Sequence, residues 1–168
     1  MRTTNVTELR KNLFNTIDSV IKYNEPVQVT TKNGNAVLLS EEDYNALLET
    51  VYLMSQPGLV SKIKEGEKEK TSEMAKFSPN EEWSMWTVLF TKNAEKDKPK
   101  LKATGLEKKT RVLLTLLSEN PFQTPPSYEK LVGDLNGYYY RRINIQHRLV
   151  YRVDSQKHIV IVHSMWSH

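Results

Sequence analysis

The chain has 168 residues, which is enough for one ordinary domain or two small ones, and it carries a net charge of +4. It contains no cysteine, which excludes a disulfide framework and a thiolate metal site. No apolar run reaches membrane-spanning length and no signal-peptide core follows the first residues, so we expect a cytoplasmic protein with no membrane partner.

Charge divides the chain into unlike halves. Residues 1–84 carry ten Lys and Arg against thirteen Asp and Glu, a net charge of −3. Residues 85–168 carry fourteen against seven, a net charge of +7. This asymmetry predicts two units of different function. Either the basic second half binds a polyanionic partner, or the two halves partly neutralise each other's charge.

The first half opens with a helix and then a hairpin. Asn5 stands three residues before Glu8, as in a helix cap, and apolar residues at helical spacing predict one helix to about Lys22. Short strands at 27–31 and 36–39 flank an Asn-Gly pair, which is the signal of a tight hairpin turn.

A second helix follows the hairpin. Ser40 is a capping residue, and the acidic residues after it favour the positive end of a helix that continues to about Met54. Pro57 closes this helix. Beyond residue 61 nearly every side chain is charged, which is typical of a disordered linker or of a segment that folds on a partner. If the segment folds on a partner, its few large apolar residues are the anchors: Ile63, Met74, Phe77 and Trp83.

Residues 1–57 resemble the Phd/YefM antitoxin family through MRTTNVTELRKNL at the start, TKNG at the hairpin and LLSEEDYNAL after it. The resemblance implies a dimeric α/β domain that binds operator DNA, followed by a tail that neutralises a toxin. Arg10 matches the family's DNA-contacting arginine, with Lys11 beside it and Lys32 as a second basic residue at the hairpin.

The second half indicates a small α+β domain. A strand near residues 86–90 precedes helical composition over 91–104, which Pro99 kinks or starts, and a cleaner helix over 106–119. A loop at 122–136 leads to a hairpin with its corner at 144–146, and a last strand covers 157–166. We expect an antiparallel sheet with two helices on one face and the other face free for a ligand.

The hairpin mixes cations with aromatic rings. Arg141, Arg142, Arg148 and Tyr139 are the residue types that bind RNA, since guanidinium groups hold phosphates and rings stack on bases. Residue types alone are equally compatible with a sheet whose tyrosines are core and whose arginines are solvated.

Residues 85–168 resemble the YoeB branch of the RelE toxin superfamily through NPF, PSYEKL, GDLNGYYYRRI and HRLVY. The resemblance implies a ribosome-dependent messenger RNA endoribonuclease that needs no metal or other cofactor. It assigns Glu129 as the base, Arg148 as the transition-state arginine and Arg142 as a phosphate contact. Relatives end in His-Tyr, and here His168 takes the place of the histidine as the acid, without the tyrosine.

The two resemblances together predict a fused toxin–antitoxin protein. An antitoxin-like domain at 1–57 forms a homodimer, a tail at 58–84 neutralises the toxin of its own chain or, by exchange, of its dimer partner, and a toxin domain occupies 85–168. Carboxylates of the tail are expected against the basic sheet: Glu65, Glu67, Glu69 and Glu73. The alternative is a non-enzymatic DNA-binding repressor with a degenerate toxin-like domain.

Overall fold

The computed structural model describes residues 1–78, 85–144 and 146–167, and it divides into two compact units, Met1–Leu48 and Glu49–His168. The predicted anchor Trp83 and the predicted acid His168 lie outside the described residues. The mixed α+β class expected from the sequence is confirmed.

The first unit is a sheet of order β1-β2-β3 with helices in its first connection. Strand β1 (Arg2–Asn5) is parallel to β2 (Val27–Thr31), which is antiparallel to β3 (Gly34–Leu38). Helices α1 (Val6–Lys11) and α2 (Leu13–Tyr23) join β1 to β2, and a small valine core lies between α2 and β2.

The predicted single first helix is wrong, because the chain leaves helical geometry at Asn12 (φ −119°, ψ 28°) and restarts. The predicted cap is confirmed, since the side chain of Asn5 accepts a hydrogen bond from the Glu8 amide at 2.9 Å. The hairpin turn is confirmed as well. Strand β1 was not predicted, because its short polar sequence carries no apolar alternation.

Helix α3 (Glu41–Ser55) crosses from the first unit into the second. Ser40 caps it as predicted, accepting a hydrogen bond from the Asp43 amide at 3.1 Å. The second unit begins at Glu49, ahead of the domain end expected at residue 57, because the last turns of α3 pack on the second sheet.

The second unit contains a sheet of order β4-β5-β9-β8-β7-β6. Strands β5 and β9 are parallel and the other neighbours are antiparallel. The strands are β4 (Ala75–Lys76), β5 (Thr87–Phe90), β6 (Glu129–Lys130), β7 (Tyr139–Arg142), β8 (Arg148–Asp154) and β9 (Ile159–Ser164).

The charged segment after residue 58 is ordered in the structure, so the disordered-linker interpretation is wrong for its described residues. It forms helix α4 (Leu59–Glu65), two 3-10 turns and the edge strand β4. Its sparse apolar residues explain the order, because Leu59, Ile63, Met74 and Phe77 are all buried. We call residues 58–78 the tail.

Helix α5 (Lys92–Ala103) runs through Pro99, so of the two predicted alternatives a helix start at this residue is wrong. The Thr91 hydroxyl caps the helix by accepting from the Ala94 amide at 3.2 Å. Buried Ala94 and Leu101 anchor it on both sides of the proline, and tertiary packing of this kind outweighs a local penalty. Helix α6 (Glu107–Glu119) agrees with its prediction to within one residue.

Both faces of the second sheet are covered. Helices α5 and α6 pack on one face around Val88, Phe90 and Tyr151. On the opposite face α3 and the tail bury Leu53 and Ile63 against the strands. The second face is therefore not open to a ligand in the full chain, because the chain's own antitoxin-like segment occupies it, in line with the expectation that a tail lies against the basic sheet.

Candidate active site

Strand register places four polar side chains on one face of the second sheet. Glu129 of β6 lies directly across from Tyr140 of β7, and Arg142 of β7 lies directly across from Arg148 of β8. Cross-strand partners point to the same face, as do residues two apart on one strand. The structure therefore brings together the sequence-predicted Glu129, Arg142 and Arg148, with Tyr140 between them.

A carboxylate from α3 bridges the two arginines, which we call the arginine pair. Oε1 of Glu49 accepts from Nη2 of Arg142 at 2.7 Å, and the same carboxylate accepts from Nε and Nη2 of Arg148 at 3.2 and 3.3 Å. The side chains of Glu49 and Arg148 are 9% and 5% exposed, whereas that of Arg142 is 60% exposed. The bond from Arg148 is therefore the desolvated one, and loss of either partner would leave an uncompensated buried charge.

The guanidinium group of Arg148 is held in place from several sides. Its Nη1 donates to the carbonyl of Asn144 at 3.0 Å, and its plane lies near the ring of Tyr52, 5.4 Å from the ring centroid. The Tyr52 hydroxyl in turn donates to the carbonyl of Gln146 at 3.0 Å. These contacts keep Arg148 oriented toward the sheet face rather than toward solvent.

Tyr140 has a buried hydroxyl in the middle of these charges. Burial first, and then the carboxylates of Glu49 and Glu129, raise the pKa of Tyr140 above its ordinary value, while the arginine pair opposes them. The phenol is therefore protonated at neutral pH and acts as a hydrogen-bond donor.

Apolar packing and a backbone contact add to the docking of α3 and α4 on this face. Leu53, Leu59 and Ile63 are buried in one cluster with Leu131 and other residues of the sheet. Thr50 accepts a hydrogen bond from the amide of Val132 at 3.0 Å.

The tail also binds the first turn of α5. Both carboxylate oxygens of Glu69 accept from the Lys92 amide at 3.1 Å, and Glu65 accepts from the Asn93 side chain at 2.9 Å. The free amides and the macrodipole at a helix N-terminus favour such carboxylates. These tail acids were predicted to face the basic sheet, so for Glu65 and Glu69 the predicted partner is wrong.

The other predicted tail residues within the described ranges also contact the sheet or its helices. Glu67 accepts from the Tyr138 hydroxyl at 2.5 Å. Met74 packs with Leu89 and Ile161, and Phe77 joins the main core beside α5 and α6. Together with buried Ile63, these residues make four of the five predicted tail residues that contact the sheet of the second unit or the helices packed on it.

His163 and Gly66 form a close contact under the tail. Ring atom Nδ1 of His163 lies 2.7 Å from the carbonyl of Ile63, and Nε2 accepts from Nε of Arg152 at 2.9 Å. A Cβ added to Gly66 would lie 2.6 Å from both His163 Nδ1 and the Thr91 side chain. The tail therefore passes the sheet at a distance that only glycine permits.

Arg141 does not belong to the candidate site, contrary to its predicted role in phosphate binding. It is fully buried, and its guanidinium donates to the carbonyls of Pro126, Pro121 and Gln123 at 2.6, 3.0 and 2.8 Å. It stabilises the loop before β6. Tyr139 is also misassigned, since it packs on the α5–α6 side of the sheet with Tyr151.

The predicted DNA-contacting residues lie in the first unit. Arg10 and Lys11 are exposed on α1, where Lys11 pairs with Glu8 at 3.1 Å. Lys32, in the β2–β3 turn, borders a shallow groove together with the first turn of α1. The described residues contain no cluster of three or more His, Cys, Asp or Glu side chains suited to a metal ion. No helix within the described ranges is both long and apolar enough to cross a bilayer.

Sequence reasoning missed Glu49 and Tyr140. A signal for Glu49 existed, because Ala46, Glu49, Thr50 and Leu53 follow the spacing of one helix face that is otherwise uncharged. A glutamate on such a face is seldom buried without a cationic partner.

Two family models match the chain in succession. The model described as antitoxin Phd_YefM, type II toxin-antitoxin system, matches residues 1–73. The model described as YoeB-like toxin of bacterial type II toxin-antitoxin system matches residues 90–168.

Two relatives, one for each part of the chain, and one solved structure are similar to this chain. Antitoxin YefM of Streptomyces coelicolor is 40% identical over 79 residues, which are 45% of this chain and 91% of the antitoxin. Toxin YoeB of Synechocystis sp. is 36% identical over 56 residues, which are 33% of this chain and 65% of the toxin. A YoeB-YefM complex from Staphylococcus aureus contains a chain 32% identical to this one. The match covers 51% of this chain and 99% of that one, with a TM-score of 0.44.

Proposed function

Since this chain belongs to the Phd/YefM antitoxin family and is fused to a YoeB-like toxin of the same type II toxin–antitoxin class, we propose that it is a latent endoribonuclease. The toxin half cuts messenger RNA on the ribosome, and the antitoxin half of the same chain blocks it. The observation that supports this proposal is the bridge from Glu49 to the arginine pair.

The proposed chemistry uses the face described above. Metal-free RNA cleavage needs a base for the ribose 2′-hydroxyl, a cation for the charge that develops on the phosphate, and an acid for the leaving oxygen. Glu129 is the proposed base, and Arg148 with Arg142 is the proposed phosphate site. His168 as the acid rests on the family resemblance.

Glu49 supports latency because a carboxylate and a phosphate compete for the same donors. Guanidinium groups bind both anions through paired N–H donors, and Glu49 engages donors on each member of the arginine pair. An RNA phosphate can reach these donors only after the carboxylate leaves. The docked α3 therefore blocks the site by occupying its anion-binding groups as well as by covering it.

The apolar contacts of α3 and α4 add to this block. Leu53, Leu59 and Ile63 are buried against the sheet, and each such side chain contributes roughly 1.5–3 kcal/mol relative to full exposure. Loss of the ion pair alone therefore leaves the helix partly docked, whereas loss of the ion pair and an apolar anchor together favours release.

We further propose that the first unit is a homodimeric operator-binding domain. Its helices expose large apolar side chains, among them Phe14 at 83%, Ile21 at 62% and Tyr44 at 53%. Such a surface is typical of an interface between chains. Arg10 and Lys11 on α1, and Lys32 in the hairpin turn, are the proposed phosphate contacts to DNA.

A release variant of the full chain tests the ribonuclease proposal. Glu49→Lys combined with Leu53→Asp places a third cation beside the arginine pair and a charge in the apolar cluster. Induced in a bacterium, this variant is expected to arrest translation and to fragment messenger RNA on ribosomes. Adding Arg148→Ala is expected to abolish both effects.

The matched control is Glu42→Lys combined with Val112→Asp, which introduces the same two side chains at exposed positions and should remain harmless. Release is verified separately by proteolysis of the tail. A release variant whose tail is cleaved by protease but that leaves messenger RNA intact would refute the nuclease and favour the alternative, a repressor with a degenerate toxin domain.

A further inference from the structure

Tyr140 occupies the centre of the candidate site, yet its hydroxyl has no hydrogen-bond partner within the part of the chain that the structure describes. The residue is 2% exposed, so solvent does not satisfy the group. A buried hydroxyl without a partner is destabilising, and a phenylalanine would fill the apolar cluster without that penalty.

The geometry points this hydroxyl at the anion site. Tyr140 lies two residues before Arg142 on β7 and directly across from Glu129 on β6, so all three side chains share one face. The guanidinium carbon of Arg148 lies 6.0 Å from the centroid of the Tyr140 ring. The phenol thus stands between the proposed base and the proposed phosphate-binding cations.

In the latent state the carboxylate of Glu49 does not accept a hydrogen bond from this hydroxyl. Glu49 offers two carboxylate oxygens, and the arginine pair engages both of them. A phosphodiester in the same position presents additional oxygen acceptors around a tetrahedral centre. Because the phenol is protonated, it can donate to one of those oxygens while the guanidinium groups hold the others.

We propose that Tyr140 is a substrate-contacting residue that donates a hydrogen bond to an RNA phosphate once that phosphate replaces Glu49 on the arginine pair. The inference rests on the proposed function for its substrate. In the latent chain Tyr140 packs in the apolar cluster and its hydroxyl is unsatisfied. In the released chain the same hydroxyl donates to the phosphate.

Binding of a non-cleavable RNA tests this inference separately from catalysis. The probe is a short, fluorescently labelled oligoribonucleotide with 2′-O-methyl groups, titrated into the full-length Glu49→Lys, Leu53→Asp release variant. Tyr140→Phe in that background is expected to weaken probe binding about tenfold or more, as loss of a hydrogen bond to a charged group does. Tyr139→Phe, the neighbouring tyrosine on the opposite sheet face, is the matched control and should bind like its parent.

Thermal unfolding of the unreleased chain separates this role from a structural one. Tyr140→Phe removes no hydrogen bond of the latent state, so its melting temperature should stay the same or rise. Unchanged probe affinity in Tyr140→Phe, or a release variant that does not bind the probe, would overturn the inference. Tyr140-dependent probe binding without cleavage of unmodified messenger RNA would uphold the inference and refute the nuclease.

Discussion

Protonation of His163 should weaken the folded chain as the pH falls. The imidazole is fully buried, and because Arg152 can only donate, Nε2 is an acceptor and Nδ1 carries the proton donated to Ile63. The contact thus requires the neutral ring. The charged groups near the ring are Arg152, Lys64 and Glu67, of which the two cations disfavour its protonation.

The size and sign of the effect follow from the pKa. Burial lowers the pKa of His163 from 6.5 to about 4, so between these values the unfolded chain binds the proton and the folded chain does not. The stabilisation is complete above pH 6.5 and is lost as the pH falls toward 4. Between pH 7.5 and pH 4.5 the loss amounts to about 2.5 kcal/mol of unfolding free energy.

Urea unfolding at several pH values measures this loss, with His163→Gln as the reference. The substituted chain lacks the titrating ring. Between pH 7.5 and pH 4.5 its unfolding free energy should therefore fall by about 2.5 kcal/mol less than that of the parent chain. Burial raises the pKa of Asp97, so protonation of this carboxyl stabilises the folded chain as the pH falls. Both chains contain Asp97, so its contribution cancels in the comparison. Equal pH dependence in the two chains would refute the reasoning.

Two further substitutions test the packing of the tail and the loop. Gly66→Ala, despite a backbone that accepts alanine (φ −63°), should lower the unfolding free energy by about 1–3 kcal/mol by overpacking. An unchanged urea midpoint would contradict this close contact. Arg141→Met should cost about 1–3 kcal/mol, since it leaves the Gln123 carbonyl without its donor and the Pro121 carbonyl with the Tyr151 hydroxyl alone. A loss below about 1 kcal/mol would show that Arg141 does not stabilise the loop.

Local signals predicted the local structure well. Asn5 and Ser40 cap their helices as predicted, because capping depends on residues three positions away. Along β8, simple alternation puts Leu149 and Tyr151 on the face opposite Arg148 and Val150, as the structure has them. The same alternation, applied to β7, would have placed Tyr139 and Arg141 on the face opposite Tyr140 and Arg142. Residue type was followed instead, and both assignments were wrong.

Contacts between distant residues could not be predicted in this way. Glu49 meets the arginine pair across 93 and 99 residues of sequence, and His163 meets Ile63 across 100. No spacing rule specifies such a pairing, because it depends on how α3 and α4 dock on strands that form much later in the chain. The family resemblance predicted that an antitoxin tail covers the toxin, but not which carboxylate binds the arginines.

If Glu49 keeps the arginine pair from RNA, a substitution that removes only its charge should expose the site. Glu49→Gln keeps the size of the side chain but leaves buried Arg148 without its counter-ion, which weakens docking by about 3 kcal/mol. The exposed fraction of the site should then rise about 100-fold.

The measurement is the rate of messenger RNA cleavage by the purified full-length chain in a reconstituted translation reaction, with Glu42→Gln on the exposed face of the same helix as control. We predict that Glu49→Gln cleaves about 100-fold faster than the parent and that Glu42→Gln matches the parent. Equal rates for all three chains, alongside an active release variant, would contradict the claim that Glu49 blocks the site.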